Sequence, residues 1–384
     1  MRIVKLRDIS ELKTGPFGTQ FNANEYVLYG TPVINVKNIG YGNIVTLGLD
    51  YVGKDTLERL SDHRLKEGDI VFGRKGSVDR HCLISKRQDG WMQGSDCIRV
   101  RFTDQSVLPN YVSYYLLTDS IKKKINQSSV GSTMASLNTD ILGDIDINLP
   151  IYKEQCKIAT ILSAIDRKID NNNNINDYLC AQLQLLFSYL FNLHNIPKTW
   201  SKGTLSDIAD ITMGQSPSSN SYNIIGEGYP FYQGSTDFSN IFPSIRMYTN
   251  APSRYASALD TLLSVRAPVG SMNIAFEDCC IGRGLAAIHG KYNNNTFIRY
   301  LLKNNKWYFE NINNSGTTFG SITKDYLLGM PITIPDSRLI TLFEQQSYLT
   351  EQIIYKNEQQ LRKLQNIRNW LLPMLMNGQA TIED

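Results

Sequence analysis

The chain has 384 residues, 42% of them hydrophobic and 20% charged, with a formal net charge of +3 and a mean hydropathy of −0.27. That length makes two or three domains with cores of their own, and no stretch approaches the roughly 20 apolar residues of a membrane span. The mild positive balance neither requires nor forbids a nucleic acid partner, so any DNA-binding surface has to come from local clustering.

Taken in chain order, the segment Met1 to Asp8 carries no apolar signal core, so no export and a cytoplasmic location are expected. Val33-Ile34-Asn35-Val36, Asp69-Ile70-Val71-Phe72 and Cys97 to Phe102 read as strands. Tyr111 to Ile125 reads as a helix, and Ile145 to Leu149 as a strand closed by Pro150. After Pro150 the period becomes helical, with Ile158, Ile161, Leu162, Ile165, Ile169, Ile175, Leu179, Leu183, Leu186 and Leu190 on one broad face. A second set of short strand-like runs follows, closed by Met330 to Pro335. A second helical run then places Phe343, Leu349, Ile353, Ile354, Leu361, Leu364, Ile367, Leu371 and Leu375 on one face. Each helical run would be about 60 Å long at 1.5 Å per residue. Such a stripe cannot be buried on one small domain, so the two helices need each other or a partner helix. Asn171 to Asn174 would weaken the first helix, but they align with Lys356-Asn357-Glu358-Gln359 without a gap, and the helix is read as continuous.

The chain is written twice. Leu6-Arg7-Asp8-Ile9 matches Leu205-Ser206-Asp207-Ile208, each followed by a glycine at the same distance, Gly15 and Gly214. Gly30 to Ile34 matches Gly228 to Tyr232. Later the shift between copies settles at 185, carrying Tyr115 onto Tyr300, Gly131 onto Gly316, Asp140 onto Asp325, Pro150 onto Pro335 and Leu190 onto Leu375. An internal repeat of this kind governs the fold. It is expected to be α+β: two globular domains in a pseudo-twofold repeat with two long helices. The boundaries are 1–150 and 197–335 for the globules, 151–196 for the first helix, and 336–384 for the second helix and C-terminal tail.

This order of motifs resembles the specificity subunits of type I restriction–modification systems over essentially the whole chain. It rests on the framing Leu-x-Asp-Ile, on Gly68 to Gly76 with its partner Asp260 to Gly270, and on the Gly-Ser/Thr-Thr segments before each closing strand. It rests also on Pro150-Ile151-Tyr152-Lys153-Glu154-Gln155 opening the first helix. Asp336-Ser337-Arg338-Leu339 departs from the pattern in lacking the Glu-Gln pair. The resemblance implies two target-recognition domains separated by antiparallel helices, and a sequence-specific subunit reading an asymmetric bipartite site in double-stranded DNA. It implies further that two modification (methyltransferase) subunits bind around the helices, and that restriction/translocase subunits join the full complex. Adenine methylation from S-adenosylmethionine, and use of ATP and Mg, would belong to those partners. The helix-pair interface is expected at Ile158, Ile161, Ile165, Asn172, Leu179 and Leu186 against Phe343, Ile353, Asn357, Leu364 and Leu371. Asn172 and Asn357 would meet at the centre and set register, or both are solvated. The rigid helix pair is expected to set the distance between the two half-sites.

No catalytic constellation is read in this chain. It has no (N/D)PP(Y/F) loop, no glycine-rich cofactor loop after a strand and no GxxxxGK(S/T) phosphate loop. Gly282-Arg283-Gly284 reads as a turn. The four histidines lack a Ser or Cys partner in a recognisable context. The six cysteines form no CxxC pair and read as reduced thiols, and no ligand spacing suits zinc.

DNA contacts need Arg or Lys for guanine, Asn or Gln for adenine, and basic or hydroxyl side chains for phosphate. The first copy offers Lys37, Asn38, Arg74, Lys75, Ser77, Arg80, Ser132 and Thr133; the second offers Gln233, Ser235, Arg266, Thr317 and Thr318. Arg74 and Arg266 lead, since each follows an apolar strand in what reads as the same position, though a salt bridge capping the sheet is an equal reading. Lys122 to Lys124 read as a solvated helix end. Two other readings stand beside this one: the recognition subunit of a bipartite type II methyltransferase–nuclease, and a coiled-coil protein scaffold with no DNA role. A flat salt response of duplex binding would favour the scaffold.

Overall fold

The computed structural model describes residues 2–129, 135–191, 197–309 and 321–382. The chain divides into two compact units, Met1–Asp170 with Lys363–Asp384, and Asn171–Arg362.

The first unit contains β1 (Arg2–Lys5), β2 (Ser10–Thr14), β3 (Thr31–Ile34), β4 (Ile70–Gly73), β5 (His81–Leu83), β6 (Cys97–Phe102), α1 (Pro109–Leu116), α2 (Asp119–Ser128), β7 (Asp146–Leu149) and the start of α3 (Tyr152–Leu190). β1 and β7 pair antiparallel from Arg2↔Leu149 to Lys5↔Asp146, so the globule's first and last strands close together and the chain leaves beside Pro150 into α3. The framing Leu-x-Asp-Ile is a one-turn helix. Its Asp8 carboxylate accepts the Lys5 N–H at 3.3 Å, and Leu6 and Ile9 enter the core. β2, β6, β4 and β5 form a sheet in that order, with Tyr41–Gly42 at the edge. Side chains alternate across it. Ile98 and Val100 join Ile70 and Phe72 in the main core, while Cys97, Val71 and Cys82 face a second core with Ile34 and Ile39.

The expected helix from Tyr111 to Ile125 is instead two, α1 and α2. Thr118 is extended and caps α2, its hydroxyl bonded back to the Tyr115 carbonyl at 2.8 Å, which breaks the helix there. The strand expected to reach Val36 stops at Ile34, because the Asn38 side chain accepts the Asn35 N–H and turns residues 36–38 into a 3₁₀ turn.

The second unit repeats the plan with β8 (Ser201–Thr204), β9 (Ala209–Met213), β10 (Tyr229–Tyr232), β11 (Thr261–Ser264), β12 (Met272–Ile274), β13 (Cys279–Ile281), β14 (Leu285–Gly290), α4 (Asn295–Asn304), β15 (Pro331–Ile334) and the first part of α5 (Ser337–Met376). β8 and β15 are the framing pair, and β9, β14, β11 and β12 form the sheet. The repeated glycines have one physical cause. A Cβ on Gly15 would lie 1.9 Å from the Gly94 carbonyl oxygen, and one on Gly214 would lie 2.2 Å from that of Gly282. Both loops need this close backbone approach. A buried carboxylate is repeated too. Asp69 accepts the Lys66 N–H and pairs with Arg101; Asp260 accepts the Ser257 N–H and bonds Nδ1 of His289 at 2.6 Å.

α3 is continuous through its four asparagines. α5 starts at Ser337, where the Asp336 carboxylate accepts the Arg338 N–H at 2.8 Å and replaces the missing Glu-Gln pair as a start signal. Within each unit the helical segments run antiparallel. In the first, Lys157 bonds the Ile382 carbonyl and Asp166 bonds Arg368 at 2.6 Å. In the second, Asn172 pairs with Gln360 at 3.0 Å and Asn357 with Asn176 at 2.9 Å. Asn172 and Asn357 therefore do not meet; the register lies about one turn from the one expected, and Asn172 and Asn176 are the buried pair.

Of the expected interface residues, Ile158 and Phe343 are buried, while Ile161, Ile165, Leu179, Leu186, Leu364 and Leu371 are half-buried. Ile353 is 47% exposed and its neighbour Ile354 takes the buried place, packing with Leu183, Phe187 and Phe343. Ile175, Leu349 and Ile367 also face outward. A stripe wider than one seam offers several faces, and packing against the globule selects among them.

Candidate nucleic-acid interface

The hydrogen-bond ladders decide which residues of the two copies are equivalent. Gly73 lies opposite Cys97, and Ser264 lies opposite Leu285. Lys75 bridges Ser136, and Arg266 bridges Ser321. Arg266 is therefore the counterpart of Lys75, not of Arg74, whose own counterpart is the buried Val265. The pairing of Arg74 with Arg266 read from the strand ends is off by one residue, and one residue changes the face to which a side chain points.

In the first copy most candidate cations are engaged. Lys75 pairs with Asp96 at 3.3 Å. Arg74 is half-buried and lies over the Phe17 ring at 5.9 Å. Arg80 is exposed and lies over the Tyr41 ring at 5.3 Å, which also takes Lys122 at 4.9 Å. Ser77 is exposed. Lys37 pairs with Asp50 at 2.8 Å, and its hydrogen bond holds that carboxyl below its usual range. Asn38 does not fit a base-reading role. It is fully buried and its amide donates to the Val45 carbonyl at 2.9 Å, so its polar atoms serve the turn. Its counterpart by role is Asp237, which accepts the Gln233 N–H at 2.7 Å.

The second copy brings its candidates together. Gln233, Arg266 and Arg283 line one cleft of about 430 Å³ with Ser216, Tyr222 and Gly284. Gln233, Arg266 and Arg283 are all exposed, and Ser235 is half-buried nearby on the turn that follows Gln233. The Ser216 hydroxyl accepts the Arg283 N–H at 3.4 Å, and Tyr222 packs on Phe231 with ring centroids 5.0 Å apart. Sequence reading missed Arg283, Tyr222 and Ser216. A signal existed: an arginine between two glycines at a connection between two apolar strands. Ser132, Thr133, Thr317 and Thr318 lie outside the described residues.

Burial pushes the Cys82 thiol up to about 12, and it raises those of Cys97 and Cys279 as well. Burial also drives His81 down to about 3. Among the described residues no cluster of His, Cys, Asp or Glu is arranged to hold a metal, and no helix is long and apolar enough to cross a membrane.

A duplicated α+β unit with polar loops at its strand ends and a shared pair of long helices defines a class of recognition protein. The profile of the type I restriction modification DNA specificity domain matches the chain twice, over residues 1–180 and 197–356, and the chain belongs to that family. It is similar to the putative type I restriction enzyme MjaX specificity subunit of Methanocaldococcus jannaschii, 28% identical across 99% of this chain and 93% of the relative. It is similar also to the MjaIX specificity subunit of the same organism, 23% identical across 100% of this chain and 94% of the relative. Among solved structures, the type I restriction–modification S subunit from M. genitalium shares the fold, with a TM-score of 0.62 at 16% identity, covering 97% of this chain and 95% of that one. The chain is a specificity subunit of a type I restriction–modification system, concerned with recognition of the DNA target.

Proposed function

We propose that this subunit reads an asymmetric bipartite target in double-stranded DNA, one half with each copy of the domain, and does no chemistry itself. The observation that carries this is the contrast at equivalent ladder positions. The framing strand pair and the central four strands of the main sheet recur in both copies, yet Lys75 beside Asp96 is replaced by Arg266 beside Gly284. One scaffold with different polar loops is what reading two different half-sites requires. S-adenosylmethionine, ATP and Mg would then belong to the partner subunits, a reading that fits a sequence without methyltransferase or phosphate-loop motifs. Two modification subunits and the restriction/translocase subunits are the expected partners, in the cytoplasm. Leu185 and Tyr189 on α3, and Leu349 and Trp370 on α5, are large apolar residues left outward, and such side chains suit helix-borne protein contacts.

The test is co-expression with the cognate modification subunit and mapping of methylated adenines, repeated with residues 197–335 exchanged for another recognition domain. A split motif of which one half changes is expected. A stable complex that methylates nothing, or a motif indifferent to the exchange, refutes the reading.

A further inference from the structure

At the cleft of Arg266 and Arg283 the second copy carries two exposed guanidiniums where the equivalent position of the first copy has Lys75 paired with Asp96. Arg246 is paired with Asp237, Arg299 with Glu351 and Arg362 with Glu358. Arg266 and Arg283 have no carboxylate partner among the described residues, and both are exposed. Their donors stand open to an acceptor-rich group entering the cleft.

The cleft is also held in shape. A Cβ on Gly284 would stand 2.5 Å from the Gln233 carbonyl oxygen, so a glycine there lets the β13–β14 connection close onto the end of β10. The Gln233 backbone is fixed by Asp237, which is fixed in turn by Arg246 at 2.7 Å. Ser216 anchors the backbone of Arg283 from the other side. The bracing fixes the backbone from which each arginine extends, with the Ser264 hydroxyl donating to the Arg266 carbonyl at 2.8 Å.

We propose that the Arg266–Arg283 cleft is the specificity-determining element of the second half-site and takes the N7/O6 edge of a guanine. This rests on the DNA-reading role proposed above. The choice of a base over a phosphate follows from the repeat. The phosphate backbone is the same at both half-sites, so a phosphate anchor serves both copies unchanged. The pair that differs between copies is the one that carries sequence information. In the first copy the equivalent cation is neutralised by Asp96; in the second, the carboxylate is gone and a second cation is added. Paired N–H donors facing two acceptors 3 Å apart is the geometry of arginine on guanine.

The experiment uses the full chain in complex with its modification subunit. Methylated adenines are mapped for the wild-type complex and for Arg266→Gln, Arg283→Gln and the double variant. Short duplexes carrying each base at the affected position are titrated in parallel. Both residues are exposed, so thermal melting is expected to be unchanged. The first half of the motif should stay intact. The second half should lose its preference at a G·C pair, with discrimination falling about 10- to 100-fold. A wild-type second half without a G·C pair overturns the inference. So does a double variant that weakens all duplexes equally while keeping the motif, since that is a phosphate clamp, and so does one that changes nothing. A wild-type complex that yields no split motif refutes the DNA-reading role itself, a result distinct from these three.

Discussion

In the second unit, α4 is joined to α5 by a buried ion pair. Nη1 of Arg299 donates to both carboxylate oxygens of Glu351, at 2.8 and 2.9 Å, and the two side chains are only 4% and 14% exposed. Replacing Glu351 by leucine leaves the guanidinium buried without a counter-charge. At these exposures solvent relieves little of that, so the cost is about 3–5 kcal/mol. For a unit of this size, with each kcal/mol worth about 2–4 °C, the melting temperature should fall by about 12 °C. The double change Arg299→Met with Glu351→Leu removes both charges and keeps the volume filled. It should recover to within about 1 kcal/mol of wild type, because the pair's attraction is largely offset by its desolvation. Calorimetry of the four proteins closes a double-mutant cycle. A Glu351→Leu variant that loses less than about 1 kcal/mol, or a double variant no better than the single one, would refute the reasoning.

Three further outcomes are expected. The buried Gln155 accepts the Leu108 N–H at 2.8 Å and donates to the Ser106 and Pro150 carbonyls, each at 2.9 Å. Gln155→Ala should cost about 2–3 kcal/mol in urea unfolding of the first unit, through orphaned backbone groups. Phe343 is fully buried among Phe187, Phe191 and Tyr300, with ring centroids 5.5, 5.7 and 6.0 Å away, so Phe343→Ala should cost the second unit about 3–5 kcal/mol. His81 lies buried against the Ser113 hydroxyl at 2.9 Å, and burial takes its pKa from 6.5 to about 3. A depressed pKa means the folded form excludes the proton. Its contribution to stability is complete above 6.5 and is lost as pH falls below that value. Between pH 6.5 and pH 5 the first unit should lose about 2 kcal/mol. His81→Gln should flatten that slope in urea melts compared at the two pH values; an unchanged slope would exonerate His81.

The duplication, the strand–helix–strand order of each globule and the two long helices all follow from local patterning, and were legible in the sequence. The period-two alternation of Cys97 to Phe102 and the helical stripe after Pro150 each state their own structure, whereas the one-turn helix at Leu6–Ile9 was visible only as a repeated motif. The recurrence of Gly15 and Gly214 was legible too, though only the structure shows that a side chain would not fit there. The class of protein follows from that order alone.

What the tertiary structure decided is which atoms remain free. Arg74 and Lys75 are neighbours in sequence, and only the ladder between β4 and β6 shows that Lys75 answers to Arg266. Asn38 has the chemistry of a base reader, yet its amide is spent on the Val45 carbonyl. Ile353 and Ile354 are interchangeable to a hydrophobic pattern, and only the packing against Phe187 and Phe343 buries one and exposes the other. Arg283 reads as part of a turn until the fold brings it beside Gln233 and Arg266. A residue's type sets the contacts it can make, whereas register and close approach between distant segments set which of them are already satisfied. Recognition uses what is left over, and no local pattern encodes that remainder.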